Sequence, residues 1–291
     1  MSAYFNNNQF YYMLKSIIKN CLFYTRNLIR FMTKGGVVYV NVANLEPDTR
    51  FENKRVLITG GGSGFGFEMA KEFHAEGADV IICGRHLDKL EKAAKSIGPD
   101  RIHPEQLDIA DTRSISSKLN NIVKKYGNID IFINNAGVGQ STYTLDDWDK
   151  IIDVNLKGTR FMMNYEIQHW LDNKIQGRMI NITSVGGLLG GSDPYRVSKW
   201  GIACLSDGLA KSYAHCGITI NCIAPGEAVT SINPHLKDIK PTGNQYNCKQ
   251  PNQRFTRVED VASLALYLAS DAASSITGQH IAVDGGWTIH T

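Results

Sequence analysis

Two patterns of apolar and polar residues alternate along most of this chain. From residue 55 onward, short and almost continuously apolar runs are separated by longer stretches with helical spacing. The short runs predict strands at 56–59, 79–83, 102–107, 129–133, 179–183, 218–223 and 280–283, the third being the weakest. The longer stretches predict helices at 65–76, 87–97, 111–126, 146–171, 195–215 and 258–269. Apolar strands that alternate with helices are typical of a parallel sheet covered on both faces, so the sequence predicts a doubly wound α/β fold in a single domain over residues 51–291.

The first 50 residues follow a different pattern. Residues 10–32 place apolar side chains at helical spacing and basic side chains largely on the other side, which predicts an amphipathic helix and hence a basic N-terminal helical extension over residues 1–50. Three interpretations remain open. Residues 10–34 contact a membrane surface or a partner, or form a cleaved mitochondrial-type leader, or pack as a helix on the body or at a subunit interface.

Charge divides the chain at the same place. The 31 basic and 28 acidic residues give a net charge of +3, but residues 1–45 carry five basic residues and no acidic one. The remainder is therefore faintly acidic, which argues against nucleic acid as a partner.

The cysteines and histidines form no recognisable site. The six cysteines are scattered without a Cys-x-x-Cys pair, and the eight histidines show no metal-binding pattern. The sequence therefore predicts reduced thiols, no metal and a cytoplasmic protein, with peripheral membrane contact as the alternative.

A glycine-rich turn follows the first predicted strand and opens the first predicted helix. Its spacing is Thr-Gly-x-x-x-Gly-x-Gly, at Thr59, Gly60, Gly64 and Gly66. Glycines suit a turn that brings backbone N–H groups at a helix N-terminus against the pyrophosphate of a dinucleotide. In this strand–turn–helix setting, the turn predicts a dinucleotide site.

The end of the second predicted strand bears on the choice of dinucleotide. An acidic residue there would bind the 2′-hydroxyl of the adenine ribose, but this chain has Gly84 followed by Arg85. A guanidinium can bind a 2′-phosphate through two hydrogen bonds, whereas a carboxylate would repel it. We therefore expect NADP(H) to be preferred, with NAD(H) as the alternative.

Candidate catalytic groups occur in the second half of the body. Tyr195 and Lys199 are four residues apart on a predicted helix and project from the same face, so the ammonium should lower the pKa of the phenol. Ser184 closes the fifth predicted strand, at the sheet edge where ligands bind in such folds.

In chain order, these motifs resemble the classical short-chain dehydrogenase/reductase family and its 3-oxoacyl-reductase type, over roughly residues 53–288. The resemblance also rests on Asp108, on Asn134-Asn135-Ala136-Gly137, on Asn155, on Pro225-Gly226 and on the closing Val-Asp-Gly-Gly of residues 283–286. It implies a Rossmann-type fold, a small-molecule carbonyl or alcohol substrate, and a homodimer or homotetramer.

The resemblance also implies roles for individual residues. Tyr195 is the general acid/base, Lys199 lowers its pKa and binds the nicotinamide ribose, Ser184 holds the substrate oxygen, and Asn155 supports a chain of waters. The implied cofactor-binding residues are Thr59, Gly60, Ser63, Gly64, Phe65, Gly66, Arg85, Asp108, Asn135, Ala136, Gly137, Tyr195, Lys199, Pro225, Gly226 and Thr230.

Two departures from the family pattern concern the substrate side. The interval from Ser184 to Tyr195 is short, so the glycines between them must form a tight loop, and Glu227 stands where a hydrophobic residue is more usual. The polar segment 227–256 is predicted to be a lid over the substrate. The sequence thus predicts an NADP(H)-dependent oxidoreductase. The alternative is an NADP(H)-binding regulatory or scaffold protein that docks through its N-terminal helix.

Overall fold

A computed structural model of the chain describes residues 50–98, 100–139, 144–230, 232–233, 236 and 250–289. The predicted extension, apart from Arg50, and the middle of the predicted lid lie outside these residues, so both assignments stay predictions. Within the described ranges, no helix combines the length and apolar character that crossing a bilayer requires.

Seven parallel strands form one sheet. They are β1 (Arg55–Thr59), β2 (Asp79–Gly84), β3 (Ile102–Gln106), β4 (Ile131–Asn134), β5 (Arg178–Ile182), β6 (Thr219–Pro225) and β7 (His280–Val283). All seven predicted strands are thus present with small shifts at their ends, and the doubly wound α/β prediction is confirmed. The spatial order is β3-β2-β1-β4-β5-β6-β7, so the chain changes direction across the sheet between β1 and β4.

Helices cover both faces of this sheet. They are α1 (Gly64–Ala75), α2 (Leu87–Ile97), α3 (Ile115–Tyr126), α4 (Leu145–Ile151), α5 (Thr159–Asn173), α6 (Pro194–Tyr213) and α7 (Val258–Ala269). Pro at the first position of α6 and the Asp193 side chain, which accepts a hydrogen bond from Arg196 N–H at 2.9 Å, set the beginning of that helix.

The predicted helix at 146–171 is not uniform. Residues Ile152–Gly158 form a π-helical turn between α4 and α5, and this turn contains Asn155. A π turn places one extra residue in the helix, which a search for 3.6-residue periodicity does not detect. The turn permits close packing, because a Cβ on Gly201 of α6 would stand 2.8 Å from Leu156.

Alternate strand residues fill two separate apolar cores. Val56, Ile58 and Ile82 lie in the core that α1, α2 and α7 cover, whereas Leu57 and Ile81 lie in the core beneath α3, α5 and α6. This alternation explains why the strands appear continuously apolar in the sequence. Ligand sites in such sheets lie at the carboxyl ends of the strands where the order reverses, here between β1 and β4.

Candidate active site

The turn after β1 requires glycine at particular positions. Gly60 and Gly64 have φ angles of +68° and +58°, in the left-handed region that favours glycine. A Cβ on Gly60 would stand 2.9 Å from Asn135 Nδ2, and one on Gly66 would stand 2.5 Å from the same atom. The glycine spacing is therefore required by the packing of the turn. The first turn of α1 leaves its N–H groups without helical partners, facing the region where a phosphate would bind.

Side chains tie this turn to the turn after β4. Asn135 Nδ2 donates to the carbonyls of Thr59 at 2.9 Å and of Gly60 at 3.2 Å. In return, the buried Thr59 hydroxyl accepts hydrogen bonds from the N–H groups of Asn135 and Ala136, both at 3.0 Å. Thr59 and Asn135, which the resemblance assigns to cofactor binding, thus hold the two turns in register.

A cavity of about 250 Å³ lies at this point, bounded by the glycine turn and the ends of β2, β3 and β4. We call it the cofactor cleft. Its lining includes most of the predicted cofactor residues, namely Thr59, Gly60, Ser63, Gly64, Phe65, Arg85, Asp108, Asn135, Ala136, Gly137 and Thr230. The glycine cradle, the exposed Arg85 and the carboxylate of Asp108 fit the pyrophosphate, a 2′-phosphate and the adenosine of a dinucleotide.

The end of β2 is more basic than Arg85 alone suggests. Lys89, on the first turn of α2, lines the same cleft and donates to Ser63 Oγ at 3.1 Å. Among the described residues, no carboxylate pairs with Arg85 or Lys89. The sequence offered a signal for Lys89, a cation four residues after Arg85 at the beginning of a helix, but that signal is common on helix surfaces.

The cofactor cleft opens into a second cavity of about 920 Å³, with which it shares Phe65, Arg85, Gly137, Val138, Thr230 and Ile232. We call the second cavity the catalytic cleft. Ser184 and Tyr195 lie on its wall, together with Pro225, Gly226 and Glu227. The Ser184 side chain is close enough to the Tyr195 phenol to act on its pKa. Two hydroxyl groups therefore lie close together on the wall of a cavity that is large enough for a small molecule.

The pKa of Tyr195 differs from the sequence-based expectation. Burial raises the pKa of the phenol above its ordinary value, and the hydrogen bond with Ser184 opposes this only in part. Lys199 Nζ lies 5.8 Å from the centre of the Tyr195 ring and donates to the Ile182 carbonyl at 2.8 Å. The prediction that Lys199 lowers the pKa of Tyr195 is therefore wrong for this structure. Burial instead lowers the pKa of Lys199 to about 8.

Asn155 lies behind the cleft wall rather than on it. Its side chain is fully buried and holds the backbone of Val138 at both groups, accepting from the N–H at 2.8 Å and donating to the carbonyl at 3.0 Å. It also donates to Ser198 Oγ at 3.3 Å, and Ser198 donates to the Tyr195 carbonyl at 2.7 Å. Asn155 thus connects the loop after β4 to the turn of α6 that carries Tyr195.

A second buried polar chain was not predicted. Asn134 Nδ2 donates to Asn181 Oδ1 at 2.7 Å, Asn181 donates to Ser206 Oγ at 2.9 Å, and Ser206 donates to the Ile202 carbonyl at 2.7 Å. This chain joins β4, β5 and α6. A signal for it was present in the sequence, since asparagine is unusual within buried strands.

The loop after β6 crosses in front of both clefts. Gly226 is enclosed, because a Cβ there would stand 2.8 Å from Gln250 Nε2 and 2.9 Å from Thr256 Oγ1. The Thr230 side chain lies beside Gly64, where a Cβ would stand 3.6 Å from its methyl group. The loop between Ser184 and Tyr195 is tight as predicted, since a Cβ on Gly187 would stand 2.8 Å from the Lys199 backbone.

The structure brings the predicted site residues to one edge of the sheet. Gly66, Asn155 and Lys199 lie just behind the cleft walls, and the remaining predicted residues line one or both clefts. A dinucleotide cradle joined to a pocket with paired hydroxyls defines a class of protein, the nicotinamide-dependent oxidoreductases of alcohols and carbonyl compounds.

Comparison of the sequence and the structure with those of known proteins identifies the family. Residues 60–288 match the family described as enoyl-(acyl carrier protein) reductase. The 3-oxoacyl-(acyl-carrier-protein) reductase of Thermotoga maritima is 36% identical over 250 residues, which cover 82% of this chain and 100% of that protein. A short-chain type dehydrogenase/reductase of Mycobacterium marinum is similar in structure, with a TM-score of 0.77 and 28% identity over 84% of this chain and 98% of that one. An actinorhodin polyketide ketoreductase with NADPH gives a TM-score of 0.74 and 27% identity, over 81% and 98%.

This chain belongs to the short-chain dehydrogenase/reductase family. It is therefore an oxidoreductase that acts on CH–OH or carbonyl groups with a nicotinamide cofactor, as its motifs implied.

Proposed function

We propose that this protein catalyses the NADP(H)-dependent interconversion of a carbonyl compound and a secondary alcohol, with Tyr195 as the proton donor and acceptor. The observation that carries the proposal is that Ser184 and Tyr195 lie together on the wall of a cleft that continues into the glycine cradle. Both hydroxyls can reach a single oxygen atom of a substrate in that cleft.

A raised pKa keeps the Tyr195 phenol protonated near neutral pH. A protonated phenol donates to the oxygen that becomes negative as a carbonyl is reduced, and Ser184 donates to the same oxygen. Lys199, with a pKa of about 8, remains largely charged below that pH, and its Nζ lies 5.8 Å from the centre of the Tyr195 ring. These properties favour carbonyl reduction as the direction near neutral pH.

A bound nicotinamide dinucleotide supplies or accepts the hydride. Within the chain, the glycine turn and the first turn of α1 would hold its pyrophosphate, Asp108 would contact its adenosine, and Lys199 would hold the nicotinamide ribose. Thr230, which lies beside Gly64 at the junction of the two clefts, would donate to the nicotinamide end.

The preference for NADP(H) rests on the basic end of β2. Arg85 is exposed and, within the described residues, without an acidic partner, and Lys89 adds a second cation in the same cleft. A dianionic 2′-phosphate would gain charge-assisted hydrogen bonds from both side chains, whereas a ribose hydroxyl would gain little. The structurally similar actinorhodin ketoreductase contains NADPH, which agrees with this preference.

The proposal is tested by NADPH oxidation with a panel of ketones, aldehydes and 3-oxoacyl thioesters, comparing the wild type with Tyr195→Phe. We expect Tyr195→Phe to lower kcat by about a hundredfold to ten-thousandfold, the range for loss of a general acid, with little change in NADPH affinity. Tyr267→Phe, at an exposed tyrosine of α7, is the matched control. If no carbonyl compound gives turnover that depends on Tyr195, the proposal is wrong.

We also propose that the protein is a homodimer or homotetramer. Members of the family usually oligomerise, and α5 and α6 expose Phe161 and Trp200, which are 46% and 56% accessible. Exposed aromatic side chains of this size favour association. Sedimentation velocity of the wild type and of Trp200→Glu tests this, since a charge at a subunit interface should shift the protein towards the monomer.

A further inference from the structure

Glu227 is the charged side chain on the catalytic cleft that the proposed function leaves unused. It follows Gly226 directly and lines the same cleft as Ser184 and Tyr195. It is partly buried, and among the described residues no hydrogen-bond donor or cation is paired with its carboxylate. A carboxylate that has lost part of its hydration without gaining a partner favours a ligand that supplies one.

The backbone of Glu227 is held firmly on the side away from the cleft. Its carbonyl accepts hydrogen bonds from Thr256 N–H at 2.8 Å and from Gln250 Nε2 at 3.2 Å. Gln250 is fully buried, so this anchor is shielded from solvent. The position of the residue is thus fixed by the fold and does not depend on the substrate.

The other charges of the catalytic cleft are already compensated or assigned. Arg196 and Asp193 form an ion pair at 3.4 Å, and Asp193 also accepts the Arg196 N–H at 2.9 Å. Arg85 stands at the junction with the cofactor cleft, where the proposed function gives it a 2′-phosphate. Glu227 is therefore the charged side chain of this cleft that has neither a partner among the described residues nor a role in the proposed function.

We propose that Glu227 determines substrate specificity by accepting a hydrogen bond from a hydroxyl or ammonium group that the substrate carries in addition to its carbonyl. The substrate class is then hydroxy ketones or amino ketones and the corresponding diols or amino alcohols. Anionic substrates such as free 3-oxoacids are disfavoured by repulsion. This inference rests on the proposed function, because it assumes that the carbonyl binds at Ser184 and Tyr195.

The proposal separates substrates that differ by a single group. Butanone, hydroxyacetone and aminoacetone have nearly the same size, while acetoacetate adds a negative charge. A site built around an acceptor discriminates strongly against an analogue that lacks the donor, because the acceptor is then left unpaired in the complex. We expect kcat/KM to rise in the order acetoacetate, butanone, hydroxyacetone, aminoacetone.

The test measures kcat/KM with NADPH for these four ketones, and for homologues one methylene longer, in the wild type, Glu227→Gln and Glu227→Leu. In the wild type we expect hydroxyacetone and aminoacetone to exceed butanone by about tenfold or more. Glu227→Gln should reduce the aminoacetone-to-butanone ratio by about tenfold, and Glu227→Leu should abolish both preferences. Glu52→Gln, the same change at the opposite edge of the sheet, should leave all ratios unchanged.

The outcomes separate the two proposals. Turnover of ketones without discrimination in the wild type, or with ratios that Glu227→Gln does not alter, overturns the role of Glu227 and leaves the proposed function intact. An equal change for all four ketones, accompanied by a changed NADPH Kd, assigns Glu227 to the cofactor and also overturns it. Absence of any Tyr195-dependent turnover contradicts the proposed function itself.

Discussion

The two clefts are built in opposite ways. In the cofactor cleft, the essential feature is the absence of side chains, since Gly60, Gly64 and Gly66 leave space that a Cβ would fill or strain. In the catalytic cleft, the essential feature is particular side chains, Ser184 and Tyr195. One buried polar chain reaches the Tyr195 carbonyl from behind, and a second joins β4 and β5 to α6. A ligand common to a whole family can thus be bound by backbone, whereas the chemistry of one reaction needs positioned functional groups.

This contrast predicts where substitutions act. A change in the glycine turn should weaken cofactor binding while leaving the arrangement of Ser184 and Tyr195 intact. A change in the polar chains behind α6 should do the reverse. Substitutions at Asn155, Arg85 and Gly66 test that separation, in decreasing order of expected effect, and a substitution at Glu166 tests a buried carboxyl outside both clefts.

Asn155→Leu should affect the catalytic cleft most. It leaves the partly buried N–H and carbonyl of Val138 without partners, each at a cost of about 1–3 kcal/mol in the free energy of unfolding. Urea denaturation at fixed protein concentration measures the loss, and kcat should fall with it because Tyr195 is no longer held through Ser198. Asn164→Leu, at an exposed position of α5, is the control and should change stability by less than about 0.5 kcal/mol.

Arg85→Ala should act only in the cofactor cleft. Loss of charge-assisted hydrogen bonds worth about 1.5–3 kcal/mol should raise the Kd of NADPH by about tenfold to a hundredfold. The Kd of NADH should change by less than about twofold, since its ribose bears no phosphate for the guanidinium. Lys89→Ala should show the same selectivity with a smaller effect. Equal affinities of the wild type for both cofactors would contradict the assignment of Arg85.

Gly66→Ala tests the cradle. Its methyl group would meet Asn135 Nδ2 and the Gly60 carbonyl, so the turn must shift, at about 1–3 kcal/mol of stability. Cofactor affinity should fall with it. Gly208→Ala, on α6, is the matched control, because no atom lies within 4 Å of its added Cβ. That control should gain about 0.5–1 kcal/mol from helix propensity. Similar melting temperatures for both variants would show that the cradle tolerates a side chain.

The effect at Glu166 concerns stability alone, and it depends on pH. Burial raises the pKa of this α5 carboxyl to about 8, and neither oxygen has a hydrogen-bond partner among the described residues. The folded state therefore holds a proton that the unfolded state loses near pH 4.5. The free energy of unfolding should fall by up to about 1.4 kcal/mol per pH unit between these two pKa values and level off above pH 8. Urea denaturation of Glu166→Gln from pH 5 to 9 should show a weaker decline than the wild type.

The sequence predicts the cofactor half better than the catalytic half for a physical reason. Spacing alone identifies a glycine turn, because the packing at Gly60 and Gly66 allows few alternatives. The apolar strands were equally predictable. Because they are buried on both faces of the sheet, each strand is an almost continuous apolar run in the sequence. The family motifs point to Ser184 and Tyr195, which line one cleft, but they do not predict the electrostatics of these groups. The pKa of Tyr195 depends on burial, and the Lys199 ammonium turns to the Ile182 carbonyl.

The contacts behind the clefts could not be predicted. The links from Asn155 to Val138 and from Asn134 through Asn181 to Ser206 join residues that are far apart in the chain. No local pattern connects such pairs. Lys89 was missed for another reason: cations at this spacing are common on solvated helices, so the sequence does not mark this one as part of a site.

The π turn at Ile152–Gly158 makes the chain intolerant of a change in length at this point. Deleting one residue there would restore a regular helix but rotate everything after it by about 100° relative to α4. The side chain of Asn155 and those of the core residues Met162 and Trp170 could then not all point in their present directions. The extra residue changes the direction in which later side chains point. One continuous helical segment can therefore direct Asn155 to the catalytic edge of the sheet and direct the later residues into the apolar core.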